Sequence, residues 1–163
     1  MLWVINYLHS FGLGPSMRQH LLLVDDETDA LEELGELLEG EGFHCHCANS
    51  VSAAMLCLAT WPAIALVITD LRMPDESGLR LIQNLRANPH HATLPVIVMS
   101  GHADMNDVIG LLPLHVVDFL PKPIYQERLI EVLNQRFPAA QPVAITDSEP
   151  GALSALPVSA ESA

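Results

Sequence analysis

The sequence predicts an α/β domain built on a doubly wound, five-stranded parallel sheet. Three observations carry that expectation. Short apolar runs alternate with helical periodicity along residues 20–137, which is the pattern of repeated βα units. The run IALVIT at 64–69 is apolar nearly throughout, as a strand covered on both faces must be. Two of the runs stop on acid: LLLV at 21–24 on Asp25-Asp26, and IALVIT on Asp70.

The elements follow in order. HLLLVD at 20–25 is the first strand. A helix is expected at 28–40, where Leu31, Leu34, Leu37 and Leu38 share a face and Gly40 or Gly42 supplies the left-handed cap. FHCHCA at 43–48 is the second strand, and Asn49 or Ser50 caps a helix running towards Trp61-Pro62. The third strand is IALVITD at 64–70, after which Ser77 can cap GLRLIQNLR. PVIVMS at 95–100 and VVDFLP at 116–121 are the fourth and fifth strands. Between them a helical segment after HAD contains Gly110 and Pro113. Proline there has no N–H to donate and crowds the carbonyl of Ile109, so this segment should be short or distorted. A last helix at 124–136 sets Leu129, Ile130, Leu133 and Phe137 on one face.

The chain has 163 residues, room for one domain with loose ends. Twenty acids against seven bases give a formal charge of -13, a surface that phosphate backbones repel, so no direct nucleic-acid binding is expected. Cys45, Cys47 and Cys57 make no disulfide framework, which suggests a reduced, cytoplasmic setting. No run approaches the roughly 18 apolar residues of a membrane span. Residues 1–17 read as a flexible extension or a start assigned too early, Met17 being the favoured alternative. Residues 138–163, rich in Ala, Pro and Ser, read as a disordered tail too short to build an output domain.

In an open parallel sheet, ligands bind beyond the carboxyl ends of the strands, where strand order reverses. Right-handed crossovers on both faces would set strands one and three side by side there, so Asp25, Asp26 and Asp70 converge. Three close carboxylates repel unless one is protonated or a cation sits among them. A few aspartates with room for water suit Mg²⁺. Strand four ends in Ser100, and strand five leads into Lys122, the one lysine of the chain. A compact ammonium and a hydroxyl beside acids make a cradle for phosphate on a carboxylate.

These residues resemble the receiver domain of two-component response regulators over about residues 18–137. The matching stretches are LVDDE, TDLRMPDESG, VMSGHAD and DFLPKP, in that order and each at the end of its own strand. The resemblance implies a flavodoxin-like sheet of order 2-1-3-4-5. It implies that Asp70 accepts a phosphoryl group from a sensor histidine kinase or phosphotransfer protein. Asp26 and Asp70 would hold Mg²⁺ directly, Asp25 through water, and the Arg72 backbone carbonyl would be a further ligand. Lys122 and Ser100 would contact the phosphate, Phe119 would follow Ser100 inward as a switch, and Pro74 and Gly78 would shape the loop. The expected role is a single-domain switch that signals by protein contacts, catalysing only its own phosphorylation and dephosphorylation. Dimerisation stays open, because the segment with Gly110 and Pro113, and His115 where that family usually has glycine, belong to the face used for it.

Two rival readings share parts of this pattern. A Mg²⁺-dependent phosphohydrolase acting through an aspartyl phosphate needs a second acid two residues on, and Arg72 stands there. A receiver-like binding module that is never phosphorylated would not need the full acceptor set. Strand alternation sends His44 and His46 to one face and Cys45 and Cys47 to the other. Two ligands per face fall short of a closed zinc site, so an edge strand with its sulfurs inside is the expectation. His90-His91 reads as a solvated loop pair.

Overall fold

The computed structural model describes residues 18–101 and 109–138. The extension 1–17, nearly all of the tail and the start of the segment after HAD lie outside the described residues. The sheet is parallel, five-stranded and ordered β2-β1-β3-β4-β5. Its strands are β1 (His20–Val24), β2 (His44–Ala48), β3 (Ile64–Asp70), β4 (Val96–Ser100) and β5 (Asp118–Pro121). Among the described residues, helices with both ends in view connect or flank them: α1 (Thr28–Gly40), α2 (Val51–Thr60), α3 (Gly78–Ala87) and α4 (Gln126–Arg136).

Period-two alternation along the central strands sorts the core into two layers. Leu22, Val24, Val67, Val96 and Val98 face α2 and α3, meeting Ala54, Leu58, Leu81, Ile82 and Leu85. Leu21, Leu23, Leu66, Ile68, Ile97 and Met99 face α1 and α4, meeting Leu31, Leu38, Leu129, Val132 and Leu133. Strands β1, β3 and β4 therefore read as continuous apolar runs because each face is covered. Ser50 and Ser77 cap α2 and α3 as expected, accepting from the backbone N–H of Ala53 and Arg80. Helix α1 has no side-chain cap of its own. Instead the Asp25 carboxylate accepts from the Glu27 N–H at 3.0 Å, tying the start of α1 to the end of β1.

The edge strand β2 departs from expectation. Cys45 is half-buried under α1, but Cys47 is exposed as a residue, although its Sγ still faces α1, 3.8 Å from where a Cβ on Gly35 would stand. The distortion expected of the segment before β5 is present in its described part. Helical backbone at 109–111 passes into a 3₁₀ turn at Leu112–Leu114, and His115 follows in the left-handed region at φ 51°. A β-carbon there is unfavourable, which explains why glycine would suit the position.

Arg86 compensates at this join. From α3 its Nε donates to the Leu114 carbonyl at 2.8 Å, and Nη1 donates to the Leu94 and Ala92 carbonyls at 2.9 and 3.1 Å. One guanidinium thus holds the loop entering β4 to the turn entering β5, a task its five fixed donors suit. Burial pushes its pKa below the usual arginine value. Replacing Arg86 with Met should lower the unfolding free energy by about 1–3 kcal/mol. Urea denaturation checks this, and an unchanged midpoint would mean that water satisfies those carbonyls equally well.

Candidate phospho-acceptor site

The sheet register explains why the acids meet. Strands β1 and β3 are paired so that Val24 lies opposite Thr69, so both strands run out of apolar residues at the same level. Asp25 and Asp70 follow, only 2% and 7% exposed. Asp26, one residue on, is exposed. One carboxylate oxygen from each of Asp25, Asp26 and Asp70 lies within 4.8 Å of the others. Oxygen donors alone, spaced so and carrying excess negative charge, fit a small hard dication that keeps part of its water shell.

Lys122 reaches this group from the end of β5. Its Nζ donates to Asp25 Oδ2 at 2.7 Å and lies 3.3 Å from Asp70 Oδ2. The lysine is held in place through its own backbone, whose N–H donates to the Ser100 carbonyl at 2.8 Å. The Lys122–Pro123 peptide is cis. A pocket of about 350 Å³ opens beside the site, its lining including Asp25, Glu27, Lys122 and Gln126.

Ser100, the last residue of β4, is 2% exposed, and its Oγ has no hydrogen-bond partner among the described residues. A buried hydroxyl left so costs about 1–3 kcal/mol, and it stands at the end of β4, the strand paired with β3 at Asp70. Phe119 lies on β5 opposite Val98 and is half-buried against the α2–α3 layer.

The loop 71–77 returns to the site through a close approach. The Gly78 N–H donates to the Leu71 carbonyl at 2.9 Å, and a Cβ at Gly78 would lie 2.1 Å from the Asp70 carbonyl oxygen. Only glycine lets α3 begin there without moving Asp70. Pro74 is exposed in the same loop. The Arg72 backbone also supports Asp70 with a hydrogen bond.

The electrostatics follow from burial. Desolvation raises the Asp70 pKa above the usual 3.8, and although Lys122 pulls it down, Asp25 pushes it up again. Burial alone would lower Lys122, but its hydrogen bond to Asp25 and its attraction to both carboxylates leave it above 10.5. The sequence brought these residues together correctly. It missed Arg86, whose clamp looks in sequence like any solvated helix arginine, and it missed His20 as a neighbour of His44 and His46.

A family model described as "Response regulator receiver domain" matches residues 21–134. Among curated relatives, the transcriptional regulatory protein FixJ of Bradyrhizobium diazoefficiens is 28% identical over 131 residues, 79% of this chain and 62% of its own length. The acid tolerance regulatory protein ActR of Rhizobium meliloti is 32% identical over 76% of this chain and 61% of its own. The chain thus spans about 60% of the length of these two curated relatives, and 42% of the two-component response regulator PprB of Pseudomonas aeruginosa. A crystal structure of a response regulator receiver protein from Pseudomonas putida is 39% identical with a TM-score of 0.71, covering 74% of this chain and 99% of that one. The chemotaxis protein CheY4 of Vibrio cholerae, 18% identical with a TM-score of 0.68 over 73% of this chain and 98% of its own, shares the fold.

A carboxyl whose folded pKa is raised favours the fold while protonated, and that contribution is lost as pH rises from 3.8 through the folded value. At neutral pH and without divalent cations, Asp70→Asn should therefore raise the melting temperature, with the gain vanishing below about pH 3.8. Thermal melts in chelator across pH check this. A lower melting temperature for the variant at neutral pH would mean that the Lys122 contact outweighs burial.

Proposed function

The chain belongs to the response regulator receiver family, and from that premise we propose that Asp70 accepts a phosphoryl group from a histidine kinase or phosphotransfer protein. Phosphorylation and Mg²⁺ binding are general features of this family of signalling switches. The observation that carries the reading for this chain is the buried Ser100 hydroxyl, without a partner among the described residues, at the end of the strand paired with β3, whose Asp70 is already supplied with its lysine. A site built only for stability would have no reason to leave that donor open.

In the proposed reaction an Asp70 carboxylate oxygen attacks phosphorus as the bond from phosphorus to the donor's histidine nitrogen breaks. The electron pair of the broken bond stays on the donor ring, which leaves as neutral imidazole because its other nitrogen already carries a proton, and Asp70 becomes an aspartyl phosphate. Asp26 and Asp70 would hold Mg²⁺, with Asp25 acting through water and the Arg72 carbonyl as a further ligand; when bound, the ion neutralises phosphoryl oxygens and fixes their orientation. Lys122 shifts its Nζ from Asp70 to a phosphoryl oxygen while keeping Asp25. Ser100 donates its hydroxyl to another phosphoryl oxygen, and Phe119, opposite the neighbouring residue of β4, moves into the space vacated. The new charge need supply only a few kcal/mol of differential stabilisation to shift such an equilibrium. We place the reaction in the cytoplasm, within a receiver of residues 18–137 that signals through protein contacts.

Intact-mass analysis after incubation with acetyl phosphate tests the reading directly. Wild type with Mg²⁺ should gain about 80 Da, one phosphoryl group. The gain should be absent from Asp70→Asn and strongly reduced by chelator, by Asp26→Asn and by Lys122→Ala. An adduct that persists in Asp70→Asn, or none in wild type with Mg²⁺, would sink the proposal.

A further inference from the structure

A second donor cluster lies at the opposite end of the sheet. His20 opens β1 and stands directly opposite His44, which opens β2. His46, two residues on, returns to the same face. One ring nitrogen from each of the three lies within 4.8 Å of the other two. Nδ1 of His20 is 3.0 Å from Nε2 of His46, and the three ring centroids are mutually 4.6–5.2 Å apart. The indole of Trp61, just after α2, packs against His46 at 5.0 Å. The expectation of two ligands per face is thereby corrected: β1 supplies a third, visible only once the register of β1 against β2 is known.

We propose that His20, His44 and His46 bind a borderline transition-metal ion, Zn²⁺ first among them. Imidazole nitrogen suits Zn²⁺, Cu²⁺ and Ni²⁺ and not Mg²⁺. Among the described residues no further His, Cys, Asp or Glu joins the group, so the site offers three protein nitrogens and leaves a position to water, as open zinc sites do. Without metal, one of the close nitrogens of His20 and His46 donates a hydrogen bond to the other; for both to ligate an ion, that proton moves to the other nitrogen of its own ring, leaving two neutral imidazoles with their lone pairs on the ion. Burial first, then the neighbouring His44 and His20 rings, lower the His46 pKa, which keeps its lone pair available at neutral pH. His44 is exposed and Trp61 is 47% exposed, so the ion has an entry path. A shallow pocket lined by Arg18, Gln19, His20, His44 and Ala63 opens beside the rings. Arg18 is the cation nearest this opening among its lining residues, and the chain's net charge of -13 opposes it.

The site is independent of the acidic one. The length of β1 separates His20 from Asp25 by roughly 16 Å, and donor chemistry separates their preferred ions. Occupancy would pin the edge strand β2 to β1 at their amino ends, where β2 otherwise has a single strand neighbour.

Calorimetric titration of the full chain with ZnCl₂ at neutral pH, with excess Mg²⁺ present, tests the site. About one Zn²⁺ per chain should bind with micromolar affinity or tighter. His44→Gln and His46→Gln should each weaken it at least tenfold, while Asp26→Asn and the double variant Cys45→Ser, Cys47→Ser leave it unchanged. His44 is exposed, so its variant should keep the wild-type circular dichroism spectrum and melting temperature without metal. Cu²⁺ should also quench Trp61 emission in a Trp3→Phe background and fail to do so once His46 is replaced. Absent binding, binding retained by both histidine variants, or binding lost with Asp26 or the cysteines would each overturn the proposal.

Discussion

Two carboxylates buried at adjacent strand ends share one ammonium, and much of the architecture serves that arrangement. Asp25 and Asp70 are both nearly sealed from water, and Lys122 bridges them at 2.7 and 3.3 Å. Removing a lone partner from a buried charge is costly, so the lysine must arrive reliably from a strand two positions away from β3. The order β2-β1-β3-β4-β5 makes that possible. Strand β4 lies between and contributes the carbonyl of Ser100, which fixes the Lys122 backbone. The site is therefore a property of three paired strand ends and not of any one loop.

Positioning Lys122 requires β5 to enter the sheet in register, and the approach to β5 is the weakest part of the sequence. Pro113 interrupts the helical segment, and His115 occupies a left-handed conformation. Arg86 meets this weakness by binding carbonyls on both sides of the gap. The clamp also anchors the loop into β4, so one side chain of α3 sets the start of both strands that deliver Ser100 and Lys122. Gly78 acts at the other end of α3, where its lack of a side chain lets the helix begin against the backbone of Asp70. Helix α3 thus connects the backbone of Asp70 to the strands that bear Ser100 and Lys122.

Much of this was legible in the sequence, for reasons that can be named. Strands β1, β3 and β4 announce themselves because burial on both faces forces continuous apolar runs, and acids ending such runs mark the functional edge. Ser50 and Ser77 are readable because capping is a local interaction. Arg86 was not legible, since its partners lie 5 to 29 residues away and a clamp of carbonyls leaves no signature in side-chain identity. The histidine cluster failed to appear for the same reason: HCHC shows two ligands on one face, and the third depends on which strand pairs with β2 and in what register. For Cys47 the alternation gave the face correctly, its Sγ lying towards Gly35 of α1, but not the degree of burial, because an edge strand has no second strand beside it.

If Asp70 is phosphorylated as proposed, charge accounting at the acidic site gives a use to a hydroxyl that has no partner among the described residues. Three carboxylates and one ammonium leave two excess negative charges, before any phosphoryl group adds more. A bound dication offsets the carboxylates, yet a phosphoryl group on Asp70 would bring three further acceptor oxygens. Lys122 can satisfy one while still bonded to Asp25, since an ammonium has three donors. Another needs a donor that is already buried and not committed elsewhere. A Ser100 hydroxyl bonded within the resting structure would gain nothing on turning to phosphate, because one hydrogen bond would be exchanged for another. On the proposed reading, a hydroxyl left open would make the resting state less stable by about the cost of one unmet hydrogen bond and would return that cost only when the phosphoryl group arrives. Differential stabilisation of that kind is what allows a local chemical change to shift a conformational equilibrium.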